Sequence, residues 1–540
     1  YERRHIFMPK FEENFGNYFK LPNPGLRSYF GRVVAGQPDV YRTPFYKKKS
    51  VDAILDNWGK KLKAIDKRWE SLLTYEYDQR AKVGPMSVMK PLSERMGDID
   101  AYYDSVLPES APILNKAIDL VVQDLSGIKG LRMKSESQTV MDMKKSTNSG
   151  SPFFAKRKLV LKDTVPCDIW RYGSTIGQDL PHSSWFGCAV LGWRGQEGGP
   201  REDDVKQRVV WMFPFAVNVQ ELRVYQPLIK AVQRDPKSIV PAWISMDAVD
   251  ERITRMFDTK AASDVVVCTD FSKFDQHFNS NLQEAAKTIL KQLFDNTDAD
   301  FMDWLDSVYP VKYMIPLAYD YGKIRKGKHG MASGSGGTNA DETLAHRALQ
   351  HEAALRSGAT LNPFSQCLGD DGILTYPGIT VEDVMSTYTS HGLEMNPDKQ
   401  YVSKQDCVYL RRWHHTDYRV EGRCAGVYPT MRALGRLIYQ ERYYDPEEWS
   451  AEMVALRELS IINNCEYHPL RDEFAEYCMK GDKYKLGLLI PGFLANIQSI
   501  AEKAIDIMPD FLGYTRSLQQ DGRPDVSGIG EWWIVKYLKS

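Results

Sequence analysis

Two groups of carboxylates occupy places where isolated charge is disfavoured. In Gln366-Cys-Leu-Gly-Asp-Asp-Gly-Ile-Leu374 the adjacent Asp370 and Asp371 interrupt an apolar run, and in VVVCTDFSKFD a β-branched run ends on Asp270, with Asp275 five residues further on. Like charges held close in a partly desolvated place repel strongly. Gly369 and Gly372 permit a tight turn, so the first stretch predicts two short buried strands with both aspartates exposed at the tip. A strand ending in a carboxylate beside such a hairpin concentrates negative charge that nothing in the flanking sequence neutralises. A divalent cation resolves it, because hard carboxylate oxygens suit Mg2+ or Mn2+, and Mg2+ binds through few carboxylates plus substrate phosphates.

Between the two acidic groups lies GMASGSGGTNADETLAHRAL. Gly330 to Gly337 reads as a loop whose backbone can approach a nucleotide or template closely, and Thr338 or Asn339 as the cap of a helix with Leu344, Ala345, Ala348 and Leu349 on one face. Upstream, VKQRVVWMFP alternates so that Lys206 and Arg208 share one face of a strand, suited to two anionic oxygens. Downstream, Lys399 follows Asn396-Pro397 on a loop, and a strand-like Val408-Tyr-Leu410 leads into Arg411 and Arg412.

The elements that must position these side chains belong to a large folded chain. At 540 residues, two to four subdomains sharing a packed interior are expected, and 43% hydrophobic with 26% charged residues is ordinary globular composition. The net charge of −1 means that a polyanionic partner must be met by local clustering of the 70 Lys and Arg. Eight cysteines without C-x-x-C spacing fit reduced thiols rather than a disulfide framework or zinc site. Short apolar runs and the absence of a signal-peptide layout predict a soluble, intracellular protein with no membrane partner. The first fifty residues, with Lys47-Lys-Lys49, read as an extended, loop-rich arm. A helix is expected after Leu107, capped by Ser110, with Pro112 in its first turn, Ile113, Leu114, Ala117, Ile118 and Val121 on one face, and Gly127 as its stop. Residues 144–240 read as irregular, 261 onward as mixed strand and helix, and the last hundred as mainly helical up to about 505. The overall class is α+β.

Taken in order, these pieces resemble the motif series of viral RNA-dependent RNA polymerases over roughly residues 147–415. TNSGSPFF (147–154) looks like the template-channel motif, KQR (206–208) like the basic fingers motif, and DFSKFD (270–275) like the first palm motif. SGSGGT (333–338), GDD (369–371), Lys399 and VYLRR (408–412) look like the next four. The wording of DFSKFDQHF and SGSGGTNADE is most similar to that of picobirnaviruses, small bisegmented double-stranded RNA viruses related to partitiviruses.

The resemblance implies a right-hand fold whose palm is a small antiparallel sheet with packed helices. It implies fingers over 1–255, including an N-terminal fingertip arm that encircles the cleft. Palm follows over 256–425, with part of 280–328 assigned to palm or fingers, and thumb and tail over 426–540. It implies Asp270, Asp370 and Asp371 as ligands for two Mg2+ ions, with Mn2+ as the alternative, and Lys399 as general acid for pyrophosphate. Lys206, Arg208, Asp275, Ser333, Gly334 and Thr338 would meet the ribonucleoside triphosphate. Ser149, Gly150, Pro152, Lys156, Arg411 and Arg412 would meet RNA, single-stranded template and double-stranded product. A viral capsid protein is a candidate partner, and the virion interior and host cytoplasm the expected location. Many relatives place Asn or Asp nine residues after the motif serine; here Glu342 stands there beside Asp341, and which acid serves is open. An Asp at 275, where reverse transcriptases tend to carry a bulky aromatic, favours ribonucleotides. A reverse transcriptase-like polymerase and a non-catalytic RNA-binding protein on a palm-like shell are the alternatives; the latter would be expected to lack a metal carboxylate, and none is lost. A GDD in a phosphotransferase of another fold would leave the Gly/Ser loop and basic strand unexplained. The tail SGIGEWWIVKYLKS is expected either to pack on the thumb or to bring Trp532, Trp533 or Tyr537 to an initiating nucleotide.

Overall fold

In the computed structural model, which describes residues 14–107, 110–508 and 525–540, Val266–Thr269 is one of the two inner strands of a four-stranded antiparallel sheet. The order is Gln366–Leu368, Asp371–Leu374, Val266–Thr269, Tyr401–Ser403. Successive side chains of a strand point to opposite faces. Val267 and Leu374 join the largest apolar core, while Val266, Cys268 and Ile373 join a second cluster with Val249, Ile253 and Met256 of the Met246–Thr259 helix. Both faces are covered, which is why the strand reads as a continuous apolar run rather than an alternating one.

Behind the sheet runs the Thr338–Arg356 helix, buried on every side from Ala340 to Ala354. Its alanines let the Ser280–Leu293 and Asn115–Asp124 helices approach. Three of its polar residues are consumed internally: Arg347 bonds Asp124 (3.1 Å) and the Ser365 carbonyl (2.7 Å), Gln350 the Gln366 carbonyl (2.9 Å), and Glu352 the Leu114 N–H (2.7 Å). The expectation of a single buried face is therefore corrected. The cap is corrected too: Gly337 holds the N-cap position, Thr338 donates to the Ala332 carbonyl and Asn339 accepts from the Trp243 indole.

A second four-stranded sheet, ordered Lys206–Met212, Ala189–Gln196, Leu317–Asp320, Lys323–Arg325, carries the basic strand. The 144–240 region is more regular than expected. It also holds a three-stranded sheet over 168–186 and the 20-residue Phe215–Arg234 helix, whose pattern Pro227 obscured. The helix expected from Ser110 begins at Asn115 instead, with Ile113 buried before it, and Ser110 accepts from Asn281.

Within the described part of the N-terminal arm lies the Pro24–Ala35 helix, capped by Asn23 with proline in its first turn; residues 1–13 lie outside the described residues. Further on, residues 45–86 share an apolar core with 413–538. Buried Glu76 accepts from the N–H groups of Thr430 (3.0 Å) and Met431 (2.9 Å) and from His468 (2.8 Å), closing the first turn of the Thr430–Ile438 helix. Helices 451–463, 471–481 and 497–507 follow as expected, and the Trp533–Lys539 helix buries Ile534, Val535 and Leu538 in the same core. All eight cysteines are free. Among the described residues no helix is long and apolar enough to cross a membrane.

Candidate active site

The Asp371–Leu374 strand pairs with Val266–Thr269 in the register Gly372↔Thr269, so one step beyond the ladder Asp371 and Asp270 arrive together at the same end of the sheet. The turn between Leu368 and Asp371 is held at Gly369, whose φ of +58° suits glycine. From the central helix, the Thr343 hydroxyl accepts the Gly369 N–H (2.9 Å) and His346 Nδ1–H donates to the Gly369 carbonyl (2.8 Å). A side chain at Gly372 would meet the His346 ring at 2.6 Å, so this second glycine is required for close approach. Gln400 performs the same service for Asp270, bonding both its N–H and its carbonyl (2.8 Å each).

The aspartates behave as a crowded set on a cleft floor. Asp370 is reachable by solvent yet surrounded by protein; burial raises its pKa, Asp275 and Asp270 add to the rise, and Arg208 opposes it. Asp371 is half-buried and pushed up to about 7 by burial and by Asp370, although the Leu410 N–H bonds its carboxylate at 2.9 Å. Across the cleft, Lys206 and Arg208 are exposed on one face of their strand as expected. Burial lowers the Lys206 pKa, and the charges of Lys82, Arg208 and Lys399 lower it further while Asp270 raises it. Lys399, in the Pro397–Lys399 turn, is exposed. Cations and carboxylates predicted from separate stretches thus share one electrostatic site.

The structure separates the two acids after the Gly/Ser loop. Asp341 is fully buried, accepting from Tyr225 (2.8 Å) and Tyr313 (2.6 Å) and pairing with Lys312 at 3.0 Å. It is a structural counter-ion. Glu342 faces the cleft carboxylates instead. Burial raises its pKa well above the ordinary range, the charge of Asp275 adds to the rise, and its buried Oε2 has no hydrogen-bond partner. Ser333, half-buried, donates to the Val209 carbonyl (3.4 Å).

Of the residues expected to meet RNA, Lys156 and Arg411 are exposed, whereas Ser149, Gly150 and Pro152 are buried in the 147–157 loop. There Ser149 N–H donates to the Ala155 carbonyl (2.7 Å), and Gly150, at φ +60°, packs against the Phe213 carbonyl. These three shape the loop. Arg412 is half-buried, its side chain bonding the Leu410 carbonyl (3.2 Å) and lying over Tyr428. Sequence reasoning missed Gln400, Thr343 and His346, which carry no motif signal of their own.

Among the described residues no three His, Cys, Asp or Glu side chains form a ready-made metal cage. The donor chemistry nonetheless fits a hard divalent cation, since crowded carboxylates with raised pKa values gain from one, and phosphate oxygens complete such a sphere.

An antiparallel sheet ending in clustered aspartates, faced by a basic strand and backed by a glycine-loop helix, defines a template-directed polymerase of the right-hand class. Residues 194–431 match the family model of viral RNA-dependent RNA polymerase. The chain is 63% identical over 529 residues, 97% of its length and 98% of the relative's, to a potential RNA-dependent RNA polymerase of human picobirnavirus (strain Human/Thailand/Hy005102/-). Two crystal structures are similar over 98% of both chains. One is the RNA-dependent RNA polymerase of a human picobirnavirus, with a TM-score of 0.93 and 61% identity, and the other its insertion loop deletion mutant, at 0.91 and 59%. The chain belongs to the viral RNA-dependent RNA polymerases, and its activity is that of a nucleotidyltransferase. The family acts on RNA and nucleotides with divalent metal ions. The reverse transcriptase and binding-shell alternatives have no support among these relatives.

Proposed function

We propose that this chain carries out template-directed nucleotidyl transfer at Asp270, Asp370 and Asp371, replicating and transcribing a viral double-stranded RNA genome. Asp270 and Asp370 would hold Mg2+, or Mn2+, with Asp371 assisting; bound there, the cation supplies activation of the primer hydroxyl and stabilisation of phosphate charge. The observation that carries the reading is the meeting of these carboxylates at one sheet end opposite Lys206, Arg208 and Lys399.

Lys206 and Arg208 clamp the triphosphate from across the cleft, and Lys399 gives a proton to the departing pyrophosphate. Asp275 and Glu342 choose the sugar. The charge of Asp275 beside Glu342, with an unpartnered Glu342 oxygen there, suits a 2′-hydroxyl that both donates and accepts. Ser333, Gly334 and Thr338 shape the floor under the nucleotide. Ser149, Gly150 and Pro152 form the template loop whose Lys156 meets phosphate, and Arg411 and Arg412 support the primer side. Fingers extend over 1–255, palm over 256–425 and thumb over 426–540, with the N-terminal region bridging to the thumb through the core shared by 45–86 and 413–538. Single-stranded template, double-stranded product and a capsid protein are the partners, in the virion interior and host cytoplasm.

The test is incorporation of labelled ribonucleotides against deoxyribonucleotides on single-stranded RNA with Mg2+. The native chain should take only ribonucleotides, Asp370→Ala should be silent, and Asp275→Ala should loosen sugar choice. Equal activity of Asp370→Ala and the native chain would remove Asp370 from the catalytic set.

A further inference from the structure

Between the 147–157 loop and the Gly/Ser loop stands the start of the Phe215–Arg234 helix, and two of its buried polar side chains, bonded to each other, together reach both sides. Arg157, its guanidinium over the Phe215 ring, donates through Nη2 to Asn218 Oδ1 (2.8 Å), and the Phe215 N–H donates to the Ser149 carbonyl (2.9 Å). Asn218 Nδ2 in turn donates to Glu221 Oε1 (3.0 Å) and to the Gly334 carbonyl (3.3 Å). Glu221 accepts from the Gly336 N–H (3.0 Å) and from the Ser335 hydroxyl.

A carboxylate with no exposure is a poor packing residue, and burial raises its pKa despite Lys312 and these donors. An apolar side chain of similar volume would fill the space with less desolvation cost. What only an amide followed by a carboxylate supplies is a set of acceptors and donors matched to both loops. The loop is also pressed onto its supports: added side chains at Gly334, Gly336 and Gly337 would meet the Trp211 carbonyl at 1.6 Å, Leu222 at 2.9 Å and the Tyr225 ring at 2.3 Å.

We infer that Asn218 and Glu221 are positioning residues that hold the template loop and the nucleotide-facing loop in a single register. The inference rests on the assignment of those two loops proposed above. Neither side chain reaches the cleft, so their effect passes through the loops. Each addition cycle requires template and new base pair to advance together, and a shared anchor keeps the two loops from drifting separately as they do so. Loss of the anchor therefore harms repeated stepping more than a single addition.

The experiment compares Arg157→Ala, Ser335→Ala and the double variant, since these residues lie at opposite ends of the chain of bonds and share no hydrogen-bond partner. Single-nucleotide addition and processive extension on a long RNA template are measured for each, with thermal melting to confirm folding. Each single variant should lose processivity about fivefold more than it loses single addition, and the double should be no worse than about fivefold, because both cut one connection. A double-variant loss near the product of the two, about 25-fold, overturns the shared register. Should neither single variant move either readout, the bonds carry no register and the proposal is overturned; a native chain that extends no template fails the loop assignment itself. Glu221→Gln and Glu221→Leu give a second arm. The amide keeps an acceptor for Gly336 and a donor for Ser335 and should stay within about twofold of native, while the leucine should lose processivity about fivefold. Equal processivity of the two would reduce Glu221 to a packing residue and overturn the proposal.

Discussion

The carboxamide of Gln400 is clamped to the peptide of Asp270, accepting its N–H and donating to its carbonyl at 2.8 Å each, with a further bond from the same nitrogen to the Asn396 carbonyl at 2.9 Å. Asp270 lies one residue past its strand, where the ladder no longer fixes the backbone. Gln400 replaces the missing ladder bonds, and the Pro397–Lys399 turn that precedes it delivers Lys399 to the same end of the sheet.

Gln400→Ala should therefore lower kcat about 10- to 100-fold, the scale on which small misplacements of catalytic groups act. Global stability should fall by only about 1–3 kcal/mol, since three partly solvated hydrogen bonds are lost. Gln400→Glu should be worse in kcat, because it keeps the acceptor for the Asp270 N–H but turns an anion toward the carbonyl and the neighbouring carboxylate. Steady-state kinetics beside urea unfolding separates the two effects; an alanine variant with native kcat would make the clamp ornamental.

Asp341 and Glu342 are adjacent in sequence and opposite in role. Asp341→Ala strips the counter-ion from fully buried Lys312 and should cost about 3–5 kcal/mol, read as a large drop in the urea midpoint. Glu342, whose pKa burial and the charge of Asp275 raise well above the ordinary range, should tolerate glutamine, which keeps its size without a charge. Glu342→Gln is expected within about threefold of native sugar discrimination, while Glu342→Ala should lose about tenfold. The ratio of ribo- to deoxyribonucleotide incorporation is the measurement.

The clustered carboxylates were legible in the sequence because their signals are local: a β-branched run ending on Asp270, and apolar arms around Gly-Asp-Asp-Gly. Residues 266–269 and 366–374 fold as those patterns require. Gln400, Asn218 and Glu221 were not legible, because their key partners lie in segments 61 to 130 residues away and are set by tertiary register, and no spacing rule reports that. The Phe215–Arg234 helix is masked in sequence by Pro227, whereas the Pro24–Ala35 helix carries a local start signal in Asn23-Pro24. The rank of Asp341 against Glu342 needed the tyrosines and lysine of distant elements.

His346 gives the site an acid limit. Its Nδ1–H donates to the Gly369 carbonyl, its buried Nε2 has no partner, and burial pushes its pKa down to about 4 from 6.5. Between those values the unfolded chain binds the extra proton and the folded chain does not, so this stability is present above pH 6.5 and lost as pH falls toward 4. The full swing is about 3 kcal/mol. His346→Gln, which can still donate to Gly369, should shrink the difference in urea midpoint between pH 7 and pH 4.5. An unchanged difference would mean that the imidazole does not titrate in this window.

Gly334 tests whether the Gly/Ser loop is there for flexibility or for contact. An added methyl would stand 1.6 Å from the Trp211 carbonyl, a backbone atom of the sheet that also carries Lys206 and Arg208, and no rotamer relieves a clash at Cβ. Gly334→Ala must therefore push the loop off the strand by more than an ångström, at a strain of about 1–3 kcal/mol. Activity should fall about 100-fold, because the proposed nucleotide floor moves relative to the proposed triphosphate clamp. Gly97→Ala is the control. Gly97 lies inside the Leu92–Asp104 helix with nothing within 4 Å of the new methyl, and should stabilise by about 0.5–1 kcal/mol with native activity. If flexibility were the need, Gly334→Ala would slow the enzyme without straining the fold, and its urea midpoint would match that of the native chain. The close approach instead requires both to fall together.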